Sequence, residues 1–226
     1  MAATAGAGCL LVLNSSGQVV ETFSGGGING PWDMTALDLG TTAALFVTNV
    51  LNGTVAAAGG TVSGGTVLRI GLTIPADGMP VKTSSTMIGS GFSERTDPSA
   101  LVIGPTGVGL GADGTLYVAD TLNNRIAAIA NAVTRLTDAG TGVTVFGGGA
   151  LNAPLGLAIA PNDDIVTVNG GDGNMVEITP AGSQAAVKAV DVTATGAGVL
   201  FGLAIRPNDS GIYFVNDGNN TLDILH

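Results

Sequence analysis

Short apolar runs, about four to six residues each, recur along the whole chain, and Asp, Asn and Gly corners break them up. The pattern is clearest from Gly104. Val108–Leu110 is apolar, Ala112–Gly114 has turn chemistry, and Thr115–Ala119 is β-rich. Asp120–Asn124 is a polar corner, Arg125–Ile129 a third run and Thr144–Phe146 a fourth. Three other stretches repeat the plan, starting at Gly30, Ala153 and Leu200. Runs this short, with glycines between them, predict antiparallel strands rather than helices.

The repeat fixes the architecture before any single residue is read. Gly107, Gly156 and Gly202 hold equivalent places at intervals of roughly 50 residues, the length of a four-stranded propeller blade. The fold class predicted is therefore all-β, a β-propeller with four antiparallel strands per blade. Residues 1–29 read as half a blade, 30–103 as a blade with an insertion, 104–152 and 153–199 as full blades, and 200–226 as a partial one. The insertion is assigned to the low-complexity stretch Val55–Gly65 and to Gly71–Pro98, with Thr66–Leu72 as the strand between them. The first runs, Leu10–Leu13 and Gln18–Phe23, look like the second half of a blade. Two endings fit: the terminal strands pair to close a ring of four or five blades, or N-terminal blades are missing from a truncated reading frame. The second is preferred, which makes the ring incomplete and its exposed blade edges a route to homo-oligomers.

Composition narrows the partners. Charged residues make up 11% of the 226 positions and the net charge is −10, with acidic residues spread rather than clustered. Nucleic-acid binding is not expected without a basic stripe. No apolar run reaches the length of a membrane span. A single cysteine, Cys9, excludes an internal disulfide and is expected to be buried in a strand. Little Lys and abundant Gly, Ala, Thr and Asn suggest an extracytoplasmic or secreted bacterial protein, although no signal peptide is visible in this sequence.

The segment Pro105–Ile126, PTGVGLGADGTLYVADTLNNRI, resembles the NHL repeat. It keeps Pro105, Gly107, Val108, Asp113, Gly114, Leu116–Asp120, Asn123, Arg125 and Ile126, and has Asn124 where the family often has His. The units from Ala153 and Leu200 match more loosely through Gly156, Pro161, Gly202 and Pro207. The resemblance implies a propeller that is usually six-bladed. It leaves function open, because the family holds binding scaffolds and its relatives include lyases and lactonases.

Candidate chemistry is sparse. The polar corners repeat in every unit: Asn49 with Asn52, Asp120 with Asn123 and Asn124, Asn169 with Asp172 and Asn174, and Asn216 with Asp217, Asn219 and Asn220. Such repetition points to structure, with Ca²⁺ ligation at one corner as the alternative. Arg125 is expected to bond an acidic or carbonyl group of a neighbouring blade. The openings of the first strands are bland at Thr106–Gly107, Leu155–Gly156 and Phe201–Gly202. Trp32–Asp33 departs from them. Trp32, Asp33 and Phe201 are therefore the candidate ligand-binding residues. His226, the final residue, is the only histidine, so neither a His-ligated metal nor a Ser-His-acid triad is expected. Glu21, Glu94 and Glu177 are conceivable metal ligands, but none aligns with an opening strand.

These readings lead to a non-catalytic binding scaffold for a protein, peptide or glycan, with no catalytic residues and no required cofactor. The alternative is a metal-dependent hydrolase or lactonase with a Ca²⁺-like site near Asp33.

Overall fold

The computed structural model describes residues 7–98, 100–193, 199–206 and 211–226. Pro207, one of the residues carrying the NHL resemblance, lies outside them. The described chain is β throughout, apart from one 3₁₀ turn at Thr121–Asn123.

Strands β1 (Leu10–Leu13) and β2 (Val19–Phe23) form a hairpin. A five-stranded meander follows: β3 (Pro31–Asp38), β4 (Thr42–Asn49), β5 (Val62–Thr73), β6 (Val81–Asp97) and β7 (Leu101–Ile103). The next meander is β8 (Pro105–Leu110), β9 (Leu116–Asp120), β10 (Arg125–Ile129) and β11 (Val143–Gly147). The third is β12 (Pro154–Ile159), β13 (Ile165–Asn169), β14 (Asn174–Ile178) and β15 (Gln184–Ala189). The last sheet has three strands, β16 (Leu200–Ile205), β17 (Ile212–Asn216) and β18 (Thr221–Leu225). All pairings are antiparallel, and the sheets stand in a propeller arrangement.

The hydrophobic cores lie between sheets, as radial packing requires. Phe46, Val67, Ile88 and Phe92 of the first large sheet meet Val108, Leu116, Val118 and Ile129 of the next. Tyr117, Ala119 and Ile126 then meet Leu157, Ile165, Val176 and Ile178. Val166, Val168 and Met175 meet Leu200 and Phe214. The β1–β2 hairpin covers the far side of the first sheet through Leu10, Val12 and Phe23. Strands β9 and β13 are buried at every position because a sheet lies on each of their faces.

Most of Gly71–Pro98, assigned to the insertion, is β6, a 17-residue strand running along the 12-residue β5. One expectation is corrected here. Cys9 is exposed, because it precedes β1 by one residue and lies outside the packed hairpin face.

The first strand of each of the four larger sheets carries an irregularity at the same place. Register shifts fall between Pro31 and Met34, Pro105 and Val108, Pro154 and Leu157, and Leu200 and Leu203. Each spans one opening dipeptide. A bulge bends a strand and re-aims its side chains, which turns these segments toward the neighbouring inner strand. Glycine is needed for that approach. A Cβ on Gly107 would collide with the Leu155 carbonyl and the Leu157 amide, and one on Gly156 would collide with the Phe201 carbonyl. At Gly202 a Cβ would meet only Val215 Cγ2, at 3.8 Å. Buried threonines tie the inner strands together. The Thr48 hydroxyl donates to Thr106 O at 2.7 Å, and the Thr121 hydroxyl donates to Pro154 O at 2.7 Å.

Candidate functional site: the inner-strand cavity

Strands β3, β8, β12 and β16 enclose a cavity of about 260 Å³. Residues 33–35 of β3, 108–110 of β8, 157–159 of β12 and Leu203 of β16 line it. Its side chains are mostly apolar; Asp33 is the one ionisable group among them and Thr35 supplies a hydroxyl.

Asp33 occupies the bulge position held by Gly107 and Gly156 in the following sheets. The first boundary is wide enough for a side chain there, and the carboxylate bridges it. Asp33 Oδ2 accepts the Val108 amide of β8 at 3.1 Å, and Oδ1 accepts the Met34 amide at 2.8 Å. Thr48 fixes the backbone of this residue, since its hydroxyl accepts the Asp33 amide at 3.2 Å. Burial raises the Asp33 pKa above the usual carboxylate value, while the two amides oppose the shift without cancelling it. The result is a half-buried carboxyl on a strand, more basic than an ordinary aspartate, at the wall of the cavity.

Trp32 and Phe201 come together at the N-terminal ends of β3 and β16. Their ring centroids are 6.5 Å apart and the planes are tilted by 32°. This is a favourable aromatic separation. Neither ring lines the cavity; the pair flanks it, next to Asp33. The structure thus brings the three candidate residues to one end of the inner strands. Thr35 and Leu203 were not singled out in the sequence, because nothing in the pattern showed which residues beyond the bulge turn inward.

The polar corners are built from local hydrogen bonds. Asp120 accepts Asn123 Nδ2 at 2.9 Å and Arg125 Nε at 2.8 Å. Asn169 Nδ2 donates to Ala150 O at 2.8 Å and to Asp172 Oδ1 at 3.0 Å. Arg125 also donates to Thr144 Oγ1 and Thr141 O, so it serves its own sheet and not a neighbour, correcting the expectation. Its five-residue spacing from Asp120 places both directly across the β9–β10 corner.

The cavity does not fit a Ca²⁺ ion as a donor set. Such an ion takes about six to eight oxygens. Here one carboxylate is available, each of its oxygens already accepts an amide, and the other side chains are almost all carbon. Among the described residues no group of three or more His, Cys, Asp and Glu side chains gathers anywhere. Glu21 sits on β2 and accepts its neighbour's amide, Glu177 lies on β14, and Glu94 is buried at the β6 end away from the cavity.

No protein-family model and no curated protein matches the chain. Solved structures do resemble it. A gluconolactonase from Xanthomonas campestris superposes with a TM-score of 0.50 at 15% identity, covering 92% of this chain and 58% of that one. A virginiamycin B lyase from Staphylococcus aureus gives 0.48 at 13% identity, covering 87% and 69%. A calcium-binding regucalcin from Agrobacterium tumefaciens gives 0.44 at 18% identity, covering 78% and 54%. The chain thus spans a little over half to about two thirds of these proteins. At such identities the likeness establishes the β-propeller fold. The expectation of a non-catalytic scaffold finds no support in this likeness, since the structure at TM-score 0.50 is named a gluconolactonase. No helix of the described residues is long and apolar enough to cross a membrane.

Proposed function

We propose that this chain is a catalytic propeller that hydrolyses a small ester or lactone in its inner-strand cavity, with Asp33 as general base. The observation that carries the reading is the Asp33 carboxyl: burial makes it more basic than usual, and two backbone amides hold it at the wall of the inner-strand cavity. A base whose pKa lies nearer neutrality is a better proton acceptor at working pH. The ionised carboxylate takes a proton from water as its oxygen bonds to the substrate carbonyl carbon. When the tetrahedral adduct collapses, the carbon–oxygen bond of the ester breaks and Asp33 returns the proton to the leaving oxygen. A lactone opens to a hydroxy acid. At about 260 Å³ the cavity is smaller than the usual ligand pocket and admits only a small molecule. Trp32 and Phe201 offer an aromatic lip beside the base.

We read the blades as NHL-like on the strength of Pro105–Ile126. The metal-dependent form of the hydrolase reading is not carried to Asp33, because the donor set there does not suit the ion. The test is a panel of small lactones and chromogenic esters, run with the full chain and with Asp33→Asn. The wild type is expected to hydrolyse at least one of them, unaffected by EDTA, and the variant to lose about 100-fold or more in kcat. Equal turnover by the variant would overturn the assignment, as would inactivity of the wild type on the whole panel.

A further inference from the structure

A second polar site lies at the boundary of the first two large sheets, away from the cavity. Glu94 of β6 is fully buried, and neither of its carboxylate oxygens has a hydrogen-bond partner. An ionised carboxylate buried alone is among the costliest arrangements a protein can hold. Its surroundings are oxygen-rich. Gly64 lies against both Glu94 and the Asn52 carbonyl: a Cβ there would overlap Asn52 O and come within 2.6 Å of Glu94 Oε1. Both oxygens therefore lie against the Gly64 backbone. Asn52 itself is fixed, because its side-chain nitrogen donates to Gly64 O at 3.0 Å and its Oδ1 accepts Asn29 Nδ2 at 2.6 Å.

The same corner holds two further orphans. Asn49 Nδ2 and Thr66 Oγ1 are buried without partners, and these residues face each other across β4 and β5. The repeat shows that this is a departure. The residue equivalent to Asn49 is Asn169 in the third sheet and Asn216 in the fourth, where Nδ2 donates to Asp172 and Asp191 respectively. In the second sheet it is Asp120, paired with Asn123 and Arg125. Only in the first sheet does a side-chain polar atom at this position, Asn49 Nδ2, lack a protein partner among the described residues. A chain of hydrogen bonds connects it to the glutamate's surroundings: Asn49 Oδ1 accepts the Asn29 amide, and Asn29 reaches Asn52.

We infer that this corner binds a hydrated, hard, oxygen-seeking cation of the Ca²⁺ class, held by Glu94 with the Asn52 carbonyl and the Thr66 hydroxyl. The cation supplies the positive charge that Glu94 lacks, and a water on it accepts from Asn49 Nδ2. A proton on Glu94 alone would leave the Asn49 amide and one carboxylate oxygen unsatisfied. A lone water would not neutralise the charge. With one carboxylate in the set the affinity belongs to the weak class, roughly 10⁻⁴–10⁻³ M.

The test uses the EDTA-stripped full chain. Thermal unfolding is followed with a few millimolar CaCl₂ and with NaCl at matched ionic strength. The midpoint is expected to rise with CaCl₂ only, by linkage to the folded state. Glu94→Gln should remove the rise, Thr66→Ala should reduce it, and Asp33→Asn should keep it in full. That last variant separates this site from the catalytic reading, which stands or falls on its own. If Glu94→Gln does not fold, equilibrium dialysis of the wild type against Ca²⁺ decides: one ion per chain supports the site and none overturns it. An equal rise in Glu94→Gln, or no rise in the wild type, also overturns it.

Discussion

Two carboxyls stand apart from the rest in this protein, and they differ in how they are satisfied. Asp33 is held by two amides in good hydrogen-bond geometry; Glu94 has none as well placed. Burial pushes the Glu94 pKa up to about 7 from an ordinary 4.5, against the opposing pull of the Asn52 backbone. In the ion-free protein the folded state then binds a proton that the unfolded chain has already released. That contribution is fully present below pH 4.5 and is lost as pH rises through 7. Urea unfolding without divalent ions should therefore show lower stability at pH 8 than at pH 5. Glu94→Gln should flatten most of that slope and be the more stable protein at pH 8; a slope equal to the wild type's would show that Glu94 does not titrate in this way. Asp33 was legible in the sequence because it breaks a repeat that has glycine in its place. Glu94 was visible as a residue, but not as a site. Its burial comes from Gly64 and Gly104 on other segments, which have no side chains to hold it off, and no local pattern records that.

At the scale of the element, the recurring bulge is the working part. It bends each inner strand, and in the second and third sheets a glycine lets the next strand's backbone close in. Gly156→Ala should be strongly destabilising, by about 3 kcal/mol or more, because its Cβ meets backbone that cannot move aside. Gly202→Ala should be near neutral, within about 0.5 kcal/mol, since a Cβ at the same position in the last sheet meets only Val215 Cγ2 at ordinary contact distance. Chemical denaturation of the two variants checks the pair; a loss at Gly202 equal to that at Gly156 would mean that another strand packs there. The regular strands β8 to β10 were readable because apolar runs, turn residues and corners agree. Strand β6 was not. Its sequence, VKTSSTMIGSGFSERTD, is mostly Ser, Thr and Gly between two prolines, without clean alternation. Pairing along β5 holds it extended, and Ile88 and Phe92 anchor it to the core.

The whole molecule is a fan of sheets whose cores lie between blades and whose inner strands share one cavity. The repeat made that architecture legible, since each unit can bury its apolar faces only against another. It could not show that the boundary between the first two sheets is the exceptional one. There Asp33 replaces a glycine contact with a carboxylate bridge to Val108, and there too Glu94 lies buried at the outer corner. Chemistry in the cavity depends on the fan holding β3 against β8, so a variant that loosens this boundary should lose activity before it loses secondary structure. The most direct measurement is the pH dependence of kcat/KM for lactone or ester hydrolysis, wild type beside Asp33→Asn. The wild-type rate should climb with pH through a single ionisation above the usual aspartate range, and that limb should vanish in the variant along with most of the rate. A variant whose profile matches the wild type in height and shape would contradict the account.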